Sequence, residues 1–374
     1  MTASTAWGKP DAFASYPTIG VLITSYNYRQ YIPDCLESVL NQDVPFDEIL
    51  VIDDGSTDGS VELLRCYEPR IKVIAQRNGG QLSALHAGVT AMQSDYLYTL
   101  DIDDYLAPGF VREIRPHLAR RPAKVQFQLI GVDAEKSRLG SIFPTYPRTY
   151  GAVEMIEDNR IIGFYQCPPT SGNVFRRDIL LGMELERMNL RDAIDGLPVL
   201  AIPYLGPVIS VNQPLAYYRA HGGSDSRWDK PDSGLLKREL DRFHFRWTEV
   251  CRLLDLREPP FGSDTPLYVL ERNLMRSVFE RRRPVASDVW AYCRKLLEAR
   301  LTARQKFLLL FWSLAFLVPL PVWRRQLVLA RRSPLNRSAA LQTLINAVTR
   351  IPSGLASDGA APAANAVVQK RWFM

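Results

Sequence analysis

The sequence predicts an α/β fold: a mostly parallel, Rossmann-like sheet flanked by helices, followed by a helical extension toward the C-terminus. Three observations predict it. From Ile19 to Asp101, short apolar runs alternate with segments of helical periodicity, the pattern of strand–helix–strand units with right-handed crossovers. The unusual polar residues of this half stand just after the apolar runs, where the carboxyl ends of parallel strands share one edge. Beyond residue 234 the pattern changes to charged amphipathic helices.

Residues 1–16 read as a flexible lead-in with no apolar core of a secretory signal. Ile19, Val21, Leu22 and Ile23 form a first buried strand, ending at Thr24-Ser25-Tyr26-Asn27. A helix follows, with Ile32, Cys35, Leu36, Val39 and Leu40 on one face and Pro33 in its first turn. Ile49 to Ile52 is the second strand, and the turn Asp53 to Ser60 is rich in helix-capping residues. Helix Val61 to Tyr67, strand Ile71 to Ala75, the turn Gly79-Gly80 and helix Leu82 to Met92 come next. The strand Tyr96 to Leu100 then runs into Asp101. Val125 to Val132 reads as a further strand, and residues 141–170, with Pro144, Pro147, Pro168 and Pro169, as loop. Thr170 and Ser171 read as a capped turn before a helix from Asp178 to Met183.

Asp101, Asp103 and Asp104 place three carboxylates within four residues. Like charges this close raise one another's pKa unless a cation sits between them, and a hard divalent ion with oxygen ligands meets that need. Thr24 and Tyr26, Asp53 and Asp54, and Asn78 stand after the other strands, so that four loops assemble one site. The chain has no G-x-x-x-x-G-K-[ST] and no G-x-G-x-x-G after its first strand, so phosphate charge falls to the metal. Tyr26 is placed to stack on a base, Asp54 to accept from a base N–H, and Thr24 or Asp53 to reach a ribose. Such a set suits a nucleoside diphosphate held by a metal.

The stretches ITSYNYRQYIPDCLESVLNQ, EILVIDDGSTDGS, QRNGGQLSALHAG and LDIDDYLAPGFV, within residues 18–115, resemble the nucleotide-binding half of inverting family 2 glycosyltransferases of GT-A fold. The resemblance implies an NDP-sugar donor and a Mg2+ or Mn2+ bridge to its diphosphate. By position it assigns Thr24, Tyr26 and Asp54 to the nucleoside. It assigns Asp101 and Asp103 to the Asp-x-Asp motif, with Asp103 the direct metal ligand and Asp104 beside them to orient the sugar. The family's catalytic base lies in an acidic motif, usually Glu-Asp; here the motif reads Ile194-Asp195, which makes Asp195 the base, with Asp192 as the alternative. Pro168 to Arg177 resembles the family's segment beneath the sugar and acceptor, the alternative to the capped turn at Thr170 and Ser171. Pro214 to Ser224 resembles its closing Tyr-Arg-x-His segment. It implies that Arg219 joins the nucleotide-binding set at the leaving diphosphate and that His221 ligates the metal or bonds a phosphate oxygen. Gly222 and Gly223 would let the segment close as a lid.

The expected organisation is a flexible stretch 1–16, a GT-A domain 17–228, a helical extension 229–300, an apolar and basic segment 301–335, and a tail 336–374, low in complexity from 353 to 366. Phe307 to Val322 is sixteen residues with Ser313 as its one polar member, short of the ~20 that cross a bilayer. Arg304, Lys306, Arg324, Arg325, Arg331 and Arg332 flank it. The pattern suits an interfacial helix on an anionic inner leaflet, or a core helix of a helical subdomain.

Net charge is +6, with Lys and Arg concentrated after Arg219. The basic residues adjoin apolar sequence, which favours a membrane surface over nucleic acid. Five scattered cysteines without C-x-x-C spacing argue against a zinc cluster and for a reducing, cytoplasmic compartment at the inner membrane face. A sugar nucleotidyltransferase would want a glycine-rich loop where Thr24 to Arg29 has none. A catalytically silent glycan binder would not need the carboxylate set. The leading expectation is a glycosyltransferase using a UDP-type donor and a lipid-linked or growing cell-surface glycan.

Overall fold

The structure is a computed structural model that describes residues 16–187, 196–221, 232–280, 282, 286–317 and 321–332. Its first half follows the alternation closely: β1 (Ile19–Ser25), α1 (Ile32–Leu40), β2 (Glu48–Asp53), α2 (Ser60–Arg65), β3 (Lys72–Ala75), α3 (Gln81–Ala91) and β4 (Tyr96–Asp101). β1 is buried along its whole length because both faces of the sheet are covered. Val21 and Ile23 point into one core with Leu36, Val51, Tyr98 and Phe110, and Leu22 points into the other with Ile52, Leu85 and Leu97. α1 buries Ile32, Cys35, Leu36 and Val39, the stripe its spacing demands.

The second half adds β5 (Tyr105–Leu106), α4 (Phe110–Leu118), β6 (Lys124–Val132), β7 (Arg138–Phe143), α5 (Ala152–Ile161), β8 (Asn173–Arg176), α6 (Arg177–Leu181), α7 (Leu197–Leu205) and β9 (Val208–Arg219). The sheet order is β3-β2-β1-β4-β8-β6-β9-β5, with β7 paired to β6. The sheet is therefore mixed, a correction to the mostly parallel expectation. β1 pairs parallel with β2 and β4, β2 with β3, and β6 with β9, whereas β4–β8, β6–β8, β6–β7 and β5–β9 are antiparallel. For β6–β7 the reason is connection length. β6 and β7 are joined by a turn too short for a crossover, and antiparallel pairing is the only pairing such a turn permits.

Two further findings concern elements. The loop-rich stretch 141–170 also holds α5, which lacks an apolar stripe and buries Asp158 and Asn159. The first part of the closing segment, Pro214 to Arg219, is not a lid but the end of strand β9, paired with β6 through Val132↔Arg219.

The extension comprises α8 (Ser233–Leu253), α9 (Leu267–Phe279), α10 (Ala286–Glu298), α11 (Ala303–Leu314) and α12 (Pro321–Arg332). α8 joins two cores. Leu240, Phe243, Trp247 and Val250 pack with Leu200 and Phe175 under the sheet, and Leu236 packs with Leu274, Tyr292 and Phe316 in a third cluster. The apolar stretch from Phe307 divides: Trp312, Ala315 and Phe316 enter that third cluster, while Phe307, Phe311, Leu314 and Leu317 are exposed. Among the described residues no helix is long and apolar enough to cross a membrane.

Candidate active site

The register of β1 sets Thr24 beside Asp101 and Ser25 beside Asp53, so the strand ends meet at one edge. Asp101 caps β4. Its Oδ1 accepts from Gln81 Nε2 at 2.7 Å and from Thr24 Oγ1 at 3.3 Å, and its backbone N–H donates to Ser171 Oγ at 3.2 Å. Thr170 and Ser171, expected to be a simple capped turn, are instead a buried platform beneath the site. The Tyr98 hydroxyl donates to the carbonyl of Ser171, and that of Thr99 to the carbonyl of Thr170.

Asp101, Asp103 and Asp104 each offer an oxygen, and these oxygens lie within 4.8 Å of one another. Asp104 is buried: Oδ1 accepts from the Arg219 backbone N–H at 2.8 Å, and Oδ2 has no hydrogen-bond partner among the described residues. Burial, and then the nearby charges of Asp103 and Asp101, push its carboxyl well above the ordinary range. Asp103 Oδ2 sits 2.9 Å from His221 Nε2, so two of the three expected metal ligands touch across 118 residues of chain. Tyr28 and Tyr31 pack on the His221 ring, with centroids at 5.3 and 4.8 Å.

The loops that frame this cluster are tied down by their own acids. Asp53 Oδ1 accepts from the Gly55 and Ser56 N–H groups, and its Oδ2 accepts from Ser56 Oγ at 2.7 Å. Asp54 Oδ1 accepts from Gln76 Nε2 and Gly79 N–H, and its Oδ2 from Gly80 N–H at 2.8 Å. Both acids thus fasten the turns after β2 and β3. Gly55, at φ +82°, is required there, because a Cβ would meet the backbone nitrogen of Asn78 at 2.8 Å. Asn78 is exposed beside this turn, and Tyr26 is 47% exposed, its ring free at the mouth of the site. Asn27, at φ +54°, links the first two loops by donating its N–H to Ser56 Oγ and accepting from Thr57 N–H.

Arg219 is buried at the end of β9. Its guanidinium donates to Asp34 Oδ2 at 2.9 Å and lies over the rings of Tyr31 (4.7 Å) and Tyr105 (5.3 Å). Lys136 Nζ shares Asp34 through Oδ1 at 2.6 Å. Burial pushes the Asp34 carboxyl up, but the bonds from Lys136 and Arg219 outweigh it and hold it below its ordinary value. Asp34, Gln81 and Tyr31 were not among the residues singled out from sequence. Asp34 falls outside the apolar stripe of α1 and reads there as a solvated surface acid. Asp192 and Asp195, and the hinge Gly222-Gly223, lie outside the described residues; α7 begins just beyond, at Leu197.

Strand ends carrying an Asp-x-Asp-Asp cluster over a tied nucleotide-type frame now have their counterpart in known sequences. The sequence model described as Glycosyl transferase family 2 matches residues 20–180. Residues 20–180 thus form a glycosyltransferase family 2 domain. A glycosyltransferase of Nostoc sp., alr2836, is 30% identical over 218 residues, 55% of this chain and 66% of that one. Chondroitin synthase of Pasteurella multocida is 39% identical over 98 residues, 25% of this chain and 10% of the synthase. The chain thus spans less than two thirds of these relatives. The crystal structure of S. aureus TarS 1-349 in complex with UDP-GlcNAc matches with a TM-score of 0.51 at 15% identity, covering 86% of this chain and 93% of that one. The likeness extends to the fold, a mixed α/β sheet of GT-A type.

Proposed function

We propose that the protein is a metal-dependent, inverting glycosyltransferase that moves a sugar from an NDP-sugar, specifically a UDP-sugar, to a hydroxyl of a lipid-linked or growing cell-surface glycan. It would work at the inner face of the cell membrane, with residues 17–228 carrying the chemistry and the helices after them the docking. The observation that carries this reading is the meeting of Asp101, Asp103 and Asp104 within 4.8 Å, with His221 against Asp103, at the carboxyl ends of the strands. The relatives support it: the Pasteurella multocida protein is a chondroitin synthase, and TarS was crystallised with UDP-GlcNAc.

The residues present fit a hard divalent cation. The donor set is three carboxylates and an imidazole, and Asp104 Oδ2, without a hydrogen-bond partner among the described residues, is a buried acceptor beside them. Asp101, Asp103 and His221 would hold Mg2+ or Mn2+, and the bound ion supplies positive charge to the departing diphosphate. The chain's own residues do the rest. Tyr26 stacks on the base, and Thr24 faces the ribose. Asp53, Asp54 and Asn78 keep the two loops in the shape that receives the nucleoside. Asp195, with Asp192 as the alternative, takes the proton from the acceptor hydroxyl as it attacks the anomeric carbon from the side opposite the diphosphate. Arg219 contributes cationic field beside the cluster through its place on β9.

The test is a donor panel with Mn2+, Mg2+ and EDTA, scored by NDP-sugar hydrolysis and by thermal protection. Metal-dependent turnover with one donor, abolished in Asp195→Asn while the fold persists, is the expected result. A folded protein that neither hydrolyses nor is protected by any donor would overturn the reading.

A further inference from the structure

Charge and exposed apolar surface collect in one place. The described residues 286–317 and 321–332 carry nine Lys and Arg against Asp288 and Glu298, an excess of seven positive charges in a chain whose total is +6; Lys295 and Arg331 turn inward onto Asp264 and Glu271, while Arg294, Arg300, Arg304 and Arg325 are exposed. The rest of the chain is therefore close to neutral. The same segment holds seven of the fifteen exposed large hydrophobic side chains among the described residues. On α11, Phe307, Phe311 and Leu314 recur at i, i+4 and i+7, which puts them on one face, and they are 50%, 40% and 51% exposed. Arg304, also exposed, stands one turn before Phe307 on the same side.

The helix cannot hide this face by rolling over. Its opposite side is anchored: Trp312 and Phe316 are buried with Tyr292 and Leu327, and Trp312 Nε1 donates to the carbonyl of Leu327 at 3.1 Å. The capping box at Thr302 and Gln305 fixes where the helix begins. A half-buried helix that turns three large apolar residues outward, with Arg304 on the same side, is built to meet something apolar with a negative border.

We infer that α11 lies in the headgroup plane of an anionic bilayer, with Phe307, Phe311 and Leu314 inserted and Arg304 and Arg325 on the lipid phosphates. This rests on the membrane-surface part of the reading above and names its docking face. A second copy of the chain is the poorer occupant, because a symmetric contact would press Arg304 and the other exposed cations of this segment against their own copies. Nucleic acid would meet the cations but leave the phenylalanines in water. The geometry is interfacial: the face is one side of a helix of twelve residues whose other side belongs to the protein core.

The experiment is co-sedimentation of the full chain with vesicles of phosphatidylcholine alone or mixed with phosphatidylglycerol, read beside analytical ultracentrifugation without lipid. Binding is expected to the phosphatidylglycerol vesicles, to weaken as salt screens the surface charge, and to fall by at least about tenfold in Phe307→Asp/Phe311→Asp. Arg304→Glu/Arg325→Glu should weaken binding independently, and an unchanged circular dichroism melt shows each variant folded. Wild-type protein left in the supernatant with every vesicle overturns the inference. So does a wild-type dimer dissolved by Phe311→Asp without vesicle binding, which would make a second copy the occupant. Because the readout needs neither donor nor metal, its failure is distinguishable from failure of the glycosyltransferase reading.

Discussion

Asp34 on α1 holds Arg219 at the end of β9, with Arg219 Nη2 donating to Asp34 Oδ2 at 2.9 Å across 185 residues of chain. The pair sits one shell behind the carboxylates, because the Arg219 backbone N–H donates to Asp104 Oδ1 and the Tyr31 ring lies between the guanidinium and His221. Asp34→Ala strands a buried cation. It should cost on the order of 3 kcal/mol of stability, read by urea unfolding. It should also weaken Mn2+ binding in a direct titration, since the strand end that presents His221 loses its anchor. Unchanged Mn2+ affinity at lowered stability would reduce the pair to a purely structural strut.

His221 and Asp103 touch at 2.9 Å, the separation of two groups poised to share one cation. His221→Ala and Asp103→Asn should each lower Mn2+ affinity and sugar-transfer turnover by at least about 100-fold, with little change in melting temperature. Isothermal titration with Mn2+ and a radiolabelled-donor assay check this. A His221→Ala protein with wild-type Mn2+ affinity would leave the imidazole as a partner of Asp103 alone.

Helix α3 rests on β1 through Gly88. A Cβ there would clash with the Leu22 side chain, which is fully buried. Gly88→Ala should therefore destabilise by about 1–3 kcal/mol despite alanine's better helix propensity. Leu22→Ala alone opens a cavity; combined with Gly88→Ala it should cost less than the sum of the two, because the new methyl enters the vacated space. Denaturant unfolding of the four proteins measures the coupling.

Asp158 is buried on α5, where its Oδ2 accepts from the Tyr150 hydroxyl at 2.6 Å. Burial pushes its carboxyl up to about 6. The sign follows from linkage: a raised folded pKa favours the protonated, folded form, so its contribution is full below the unfolded value near 4 and is lost as pH climbs through about 6. The stability of the wild type minus that of Asp158→Asn should fall by roughly 2–3 kcal/mol between pH 4 and 6.5. A flat difference would show that Asp158 ionises as readily folded as unfolded.

Much of the first half was legible because its signals are local. β1, β2 and β4 announce themselves as apolar runs, α1 by its stripe, and the site by acids at strand ends. α5 was missed because it buries Asp158 and Asn159 where a stripe would place leucines, so its helicity depends on neighbours rather than on period. Asp53 and Asp54 were legible as acids just after a strand, but their grip on the Gly55 and Gly79-Gly80 turns was not, since a carboxylate there accepts equally well from a ligand or from a turn N–H.

By itself the sequence determined the order of strands and helices up to Asp101, the carboxylate cluster and the family, because periodicity and motif spacing act over a few residues at a time. The tertiary structure alone decided three things. It turned β8 antiparallel between β4 and β6, brought Asp34 to Arg219 and His221 to Asp103, and split the apolar stretch from Phe307 into a buried and an outward face. Each depends on which surfaces meet when the chain closes, and pairings across a hundred residues leave no mark in the residues between them.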